Sequence, residues 1–125
     1  MFDHIVIGAS SYETSKRFFL EALEPLGIQI ISEGPLGIEI STDDKSSLCI
    51  RRVEETPSRL HIAFVAQSRD QVERFYQAAL KAGASDNGAP GIRPEYSATY
   101  FAAFVIGPDG HNIEAVCHEE METQP

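Results

Sequence analysis

HIVIGASSYETSKRFFLEAL, residues 4–23, returns 57 residues later as HIAFVAQSRDQVERFYQAAL, residues 61–80. His4 falls on His61, Ile5 on Ile62, Ala9 on Ala66, Ser11 on Ser68, Arg17 on Arg74 and Phe18 on Phe75, and Ala22 with Leu23 falls on Ala79 with Leu80. Each copy is a short apolar run that opens on a histidine and passes into a stretch with helical periodicity. A chain built from two such units is pseudo-symmetric, so side chains at matched positions in the two copies can converge on a shared cleft.

Working outward from the repeat, the first copy predicts a strand over 2–7. Ser10 and Glu13 then have the spacing of a capping box, and Phe18, Phe19, Ala22, Leu23 and Leu26 form one apolar helical stripe that stops at Gly27 after Pro25. Three strands over 28–32, 37–41 and 47–52 follow, set apart by the turn formers Gly34, Pro35, Asp43 and Asp44. The second copy predicts a strand over 59–65, a capping box of Ser68 and Gln71, and a helix that turns Val72, Phe75, Tyr76, Ala79 and Leu80 inward and ends at Gly83. Residues 84–99 are rich in Gly, Pro, Asp and Asn and read as a loop, suited to a lid, with room for only a short weak strand. Strands over 100–106 and 112–117, joined by the turn Pro108-Asp109-Gly110, complete the unit, and an acidic tail beyond His118 has little to bury.

A chain of 125 residues suits one domain, here of two units at about 1–56 and 57–118. Its net charge of −9 repels phosphate backbones and anionic membranes, which argues against nucleic-acid and membrane partners and for a small molecule or a protein. No apolar run is long enough to span a bilayer, and MFDHIVIG lacks the basic start and long apolar stretch of a secretion signal, so a soluble, cytoplasmic protein is expected. Cys49 and Cys117 form no spaced zinc or redox motif and are expected to be reduced thiols, with Cys117 on the helix-facing side of its strand.

Strand parity sorts the side chains by face. Ile5 and Ile7 serve the helix side while Phe2, His4 and Val6 face away; Leu60, Ile62 and Phe64 repeat the pattern, leaving Arg59, His61 and Ala63 on the other face. In the last strand Ile113 and Ala115 alternate with Asn112, Glu114 and Val116. Parity thus exposes His4, His61 and Glu114 on one side, away from the apolar layer. Two imidazoles and a carboxylate suit one divalent ion, Fe, Mn, Zn, Ni or Co, with positions left open for water or substrate. His111 reads as a turn residue and His118 as a strand-end residue, and neither shares this support.

DHIVIG with its helix, LHIAF with its helix and YFAAFVIGPDGHNIEAVCH together resemble the vicinal oxygen chelate superfamily, which holds glyoxalases, bleomycin resistance proteins and extradiol dioxygenases. The resemblance implies an α+β fold of two pseudo-symmetric βαβββ modules, forming a curved mixed sheet around a metal cleft. It also implies that His4, His61 and Glu114 occupy the first-, fifth- and eighth-strand ligand positions. Cys49 stands at the fourth-strand position where glyoxalase I members carry a Glu, and is the candidate fourth ligand. Phe104 stands where extradiol dioxygenases carry a Tyr. Arg51, on the face of Cys49, and Arg93, Tyr96 and Tyr100, beside the glycine-rich loop, are candidate substrate contacts. The resemblance implies a homodimer and a metalloenzyme that chelates neighbouring oxygens of a small substrate, with lyase, isomerase or ring-cleaving dioxygenase chemistry. The alternative is a non-catalytic binding protein of the bleomycin resistance type.

Overall fold

A computed structural model describes residues 1–43 and 45–118, and lays the two copies out as β1 (His4–Ala9), α1 (Tyr12–Leu23), β2 (Gln29–Gly34), β3 (Gly37–Ser41) and β4 (Ser47–Arg52), then β5 (His61–Val65), α2 (Arg69–Lys81), β6 (Ser85–Ile92), β7 (Phe101–Ile106) and β8 (Asn112–Cys117). Asp44 and the acidic tail, with Glu119, Glu120 and Glu122, lie outside the described residues. The copies form two four-stranded mixed sheets of matching order, β1-β4-β3-β2 and β5-β8-β7-β6. In each, the strand that opens the copy runs parallel to the strand that closes it, and the remaining pairs are antiparallel. A parallel pair needs a crossover, which the helix supplies. Among the described residues no helix is long and apolar enough to cross a membrane.

The helices pack on each other and on the sheets, and the buried side chains from both copies make one cluster that includes Phe18, Phe19, Ile40, Ile50, Phe75, Val105 and Ile113. Phe18 meets Phe19 edge to face at 5.2 Å and lies against the turn between β7 and β8, where a Cβ at Gly107 would come within 2.9 Å of its ring. The absence of a side chain at Gly107 is what lets the first helix seat on the second copy. Cys117 is buried in this core, on the helix side as its parity requires.

Three local expectations are corrected. Ser10 does not cap α1: its backbone N–H and its hydroxyl both donate to Asp109, tying the first copy to the turn of the second, and Ser11 takes the cap position without a side-chain cap bond. In α2 only the serine half of the expected box forms, with Ser68 accepting from the Gln71 N–H at 3.1 Å, while the Gln71 side chain accepts from the N–H of Gln67, one residue before the cap, at 2.8 Å. Residues 85–92, read as loop, are an eight-residue strand. It is the outer edge of its sheet, where Pro90 costs no interior ladder bond, and its glycines absorb register shifts between Asp86 and Gly88 and between Gly88 and Gly91. His111 closes the Pro108–Gly110 turn, as expected of a turn residue, but is 2% exposed, and its Nδ1 accepts the Leu60 N–H at 3.0 Å.

Candidate functional site

The parallel ladder of β5 and β8 sets Ala63 opposite Glu114, and the antiparallel ladder of β7 and β8 sets Phe104 opposite it on the other side. His61, two residues before Ala63, therefore shares the outer face with Glu114, and the His61 Nε2 meets Glu114 Oε1 at 2.8 Å. Tyr100, just before β7, donates its hydroxyl to the other carboxylate oxygen. Burial, and then the hydrogen bond to Glu114 and its charge, push this phenol up to about 12, so it stays a donor at neutral pH. Parity placed Glu114 outside the helix-facing layer, and it is there, but it is not exposed. With Val116 beside it and Tyr100 across it, the carboxylate is 1% exposed.

The segment between β6 and β7 folds over this corner. The Arg93 N–H donates to the Tyr100 carbonyl at 2.7 Å and the Tyr96 N–H to the Arg93 carbonyl at 3.0 Å. The Tyr96 and Tyr100 rings meet at 4.8 Å, tilted by 57°, and the His118 ring meets Tyr100 edge-on at 5.1 Å. The Arg93 guanidinium lies over Phe104, which is 6.0 Å from the His61 ring. Glu114 thus touches two other predicted residues, His61 and Tyr100, and two more, Arg93 and Tyr96, lie nearby against Phe104 and Tyr100.

The other predicted residues belong to the sheet of the first copy. His4 is exposed on the outer face of β1, with its Nδ1 2.7 Å from Asp3 Oδ1, an arrangement that leaves Nε2 free to accept. Cys49 is half-buried opposite Val6, and Arg51 is exposed at the end of the same face. Burial, and then the neighbouring Glu39 carboxylate, push the Cys49 thiol up, so it is a poor source of thiolate for a metal. Glu39 itself escaped the sequence reading. It sits directly opposite Cys49 on β3 and accepts from the Ser47 hydroxyl. Its alternation with the buried Ile38 and Ile40 was the signal that would have placed it on this face.

Among the described residues, no three of His, Cys, Asp and Glu stand close enough within one chain to hold a metal. His61 and Glu114 nevertheless suit one. A 2.8 Å separation of nitrogen and oxygen is close to that of two ligand atoms side by side on an ion with bonds of about 2.0–2.2 Å, and a buried carboxylate needs a cationic partner. Tyr100 is the outer donor that orients such a ligand.

The model of the glyoxalase/bleomycin resistance protein/dioxygenase superfamily matches residues 1–115. This chain belongs to that superfamily. Several solved structures share its architecture. A glyoxalase/bleomycin resistance protein from Albidiferax ferrireducens T118 has a TM-score of 0.80 at 24% identity, covering 94% of this chain and 98% of its own. A glyoxalase/bleomycin resistance protein/dioxygenase family enzyme from Burkholderia phytofirmans PsJN has a TM-score of 0.74 at 18% identity, covering 93% and 97%. The oxidase ChaP-H2 has a TM-score of 0.69 at 19% identity, covering 96% and 94%. At these identities the likeness is one of fold. Comparison with curated protein sequences gives no match. In this glyoxalase-superfamily chain each copy presents polar side chains on the outer face of its own sheet, and the His61–Glu114 corner is the more enclosed of the two.

Proposed function

We propose that this protein is a metal-dependent enzyme acting on a small molecule with neighbouring oxygen atoms, and that it works as a homodimer. The observation that carries the reading is the buried Glu114 carboxylate held between His61 and Tyr100. His61 and Glu114 supply two ligands to one divalent ion, and His4 of a second copy supplies the third. A bound divalent ion contributes Lewis acidity toward an oxygen that gains negative charge during the reaction. The protein's own groups do the rest. Tyr100 fixes the Glu114 rotamer, Phe104 gives the substrate an apolar wall, and the 93–100 segment limits the access of water.

Two features support the second copy. His4 faces solvent on a sheet separate from His61 and Glu114, so one chain offers only two of the three ligands. The strands that open each copy, β1 and β5, are both unpaired sheet edges, and Phe2 (59% exposed), Val6 (42%) and Val65 (75%) leave apolar surface there. An apolar cleft of 370 Å³ runs along these edges, lined by Ile5, Leu48, Ile62 and Phe64 among others. Its lining takes in Ile62, Ala63, Phe64 and Val65 along β5 but not His61 or Glu114, which suits an assembly surface better than the reacting site. A symmetric partner covers such edges and faces.

Metal analysis after loading with Fe(II), Mn(II), Zn(II), Co(II) or Ni(II) and exhaustive dialysis tests the reading. About one ion per chain is expected, with loss in His61→Ala. Oxygen uptake with catechols under Fe(II) then separates ring cleavage from lyase or isomerase chemistry. Small-molecule binding with no metal retained under any loading would return the site to the non-catalytic binding class.

A further inference from the structure

The Arg93 guanidinium occupies a seat built for it. The strand β6 is bare of side chains at Gly88 and Gly91, where a Cβ would come within 3.1 Å of Arg93 Nη2 and Nη1 respectively. At Gly88 the same Cβ would come within 2.9 Å of Phe104, and the backbone φ of +150° is one that side-chain-bearing residues rarely adopt. Two glycines therefore let the arginine fold back across its own strand and lie with its Cζ 5.3 Å from the centre of the Phe104 ring. Phe104 is the direct cross-strand neighbour of Glu114 and packs toward His61, so the guanidinium is aimed at the metal-ligand corner. One of its five N–H donors is used by the Ala89 carbonyl, with Nη2 at 2.7 Å. No ion pair to a carboxylate is formed by Arg93 among the described residues.

We propose that Arg93 is a specificity-determining residue: it receives a carboxylate carried by the substrate, which selects small hydroxy, oxo or catecholic acids over their uncharged analogues. The inference rests on the reading of the His61–Glu114 corner as the reacting site. A chain of net charge −9 repels an anionic ligand at long range, so acceptance of one depends on a local cation with free donors. A guanidinium fork pairs with a carboxylate through two parallel hydrogen bonds, and Arg93, seated over the Phe104 ring with one donor used by Ala89, keeps N–H groups for that pairing. A carboxylate, whose two oxygens a single guanidinium fork satisfies, fits a seat built on one arginine better than a phosphate ester with its further oxygens.

Titration calorimetry with isosteric pairs isolates the charge: mandelate against mandelamide, lactate against lactamide, and 3,4-dihydroxybenzoate against 3,4-dihydroxybenzamide. The Mn(II)-loaded and the chelator-treated protein are each titrated. In the wild type at least one acid is expected to bind about tenfold or more tighter than its amide. Arg93→Met is expected to equalise that pair while retaining the amide affinity, and Arg93→Lys to keep part of the preference. A preference that survives in Arg93→Met overturns the proposal, as does equal binding of every pair or binding of none in either form. If the protein retains no Mn(II) yet shows the Arg93-dependent preference, the carboxylate seat stands and the metal reading fails. If Mn(II) is retained and the acids show no preference, the metal reading stands and the seat fails.

Discussion

The third residue of the closing strand is Cys49 in the first copy and Glu114 in the second, and each sits opposite the third residue of the opening strand, Val6 or Ala63. Their neighbours on the adjacent strand are Glu39 and Phe104 respectively. The carboxylate and its less polar neighbour have exchanged strands between the copies. The surroundings differ as well: Glu114 is 1% exposed beneath Tyr100, while Val6 and Arg51 face solvent. The same ladder has been filled in one copy as a finished polar corner and in the other as an open face. Backbone symmetry fixes where a ligand can stand, and the local covering decides whether it is desolvated enough to bind an ion strongly.

Removing the finished corner should have the largest effect. His61→Ala or Glu114→Gln is expected to weaken metal affinity by at least about a hundredfold, because the loss of a direct ligand exceeds the usual effect of losing an outer partner. Chelator competition measures it, and full occupancy in either variant would erase the distinction between the copies. Tyr100→Phe sharpens the comparison by removing only the covering hydrogen bond. Its expected cost is roughly ten- to a hundredfold in metal affinity, with the fold intact by circular dichroism.

A smaller effect is expected where the copies join. Burial holds the His111 imidazole below its ordinary value, against the pull of the Asp109 carboxylate. The unfolded chain therefore takes up a proton near pH 6.5 that the folded chain refuses. The stability tied to His111 is full above that pH and falls as pH drops from there toward the depressed folded value. Urea unfolding between pH 7.5 and 5 (roughly the range over which a histidine titrates) should show a shallower decline in His111→Gln than in the wild type. An unchanged slope would detach the junction from this residue. The smallest effect is expected at Cys49: Cys49→Ser should keep its metal, since the thiol is pushed up and the two-histidine, one-carboxylate set suffices. Loss of metal from a folded Cys49→Ser protein would make the open face a ligand-bearing one.

The repeat carried most of the fold. Periodicity, with the turn formers that bound the shorter runs, marked α1, α2 and seven of the strands, and parity put His61, Glu114 and Cys117 on the faces they occupy. β6 was hidden because its glycines and Pro90 are strand breakers anywhere except on a bulged edge. Ser10 misled because a serine at capping spacing was engaged by Asp109, 99 residues away, a contact that no local pattern reports. The burial of Glu114 and of His111 depends in the same way on covering segments from elsewhere in the chain. The proposed ligands read in the sequence as three residues on matching faces, whereas the separation of His4 from the other two is a property of how the sheets are placed.

The most direct test of a site shared between two copies is complementation of metal binding. His4→Ala and Glu114→Gln proteins, each expected to lose its metal alone, are mixed under conditions of subunit exchange and analysed for bound metal after dialysis. Random exchange should restore about one site in four, since half of the dimers are mixed and each mixed dimer rebuilds one of its two sites. No recovery in a mixture shown by mass spectrometry to contain the mixed dimer would contradict the account.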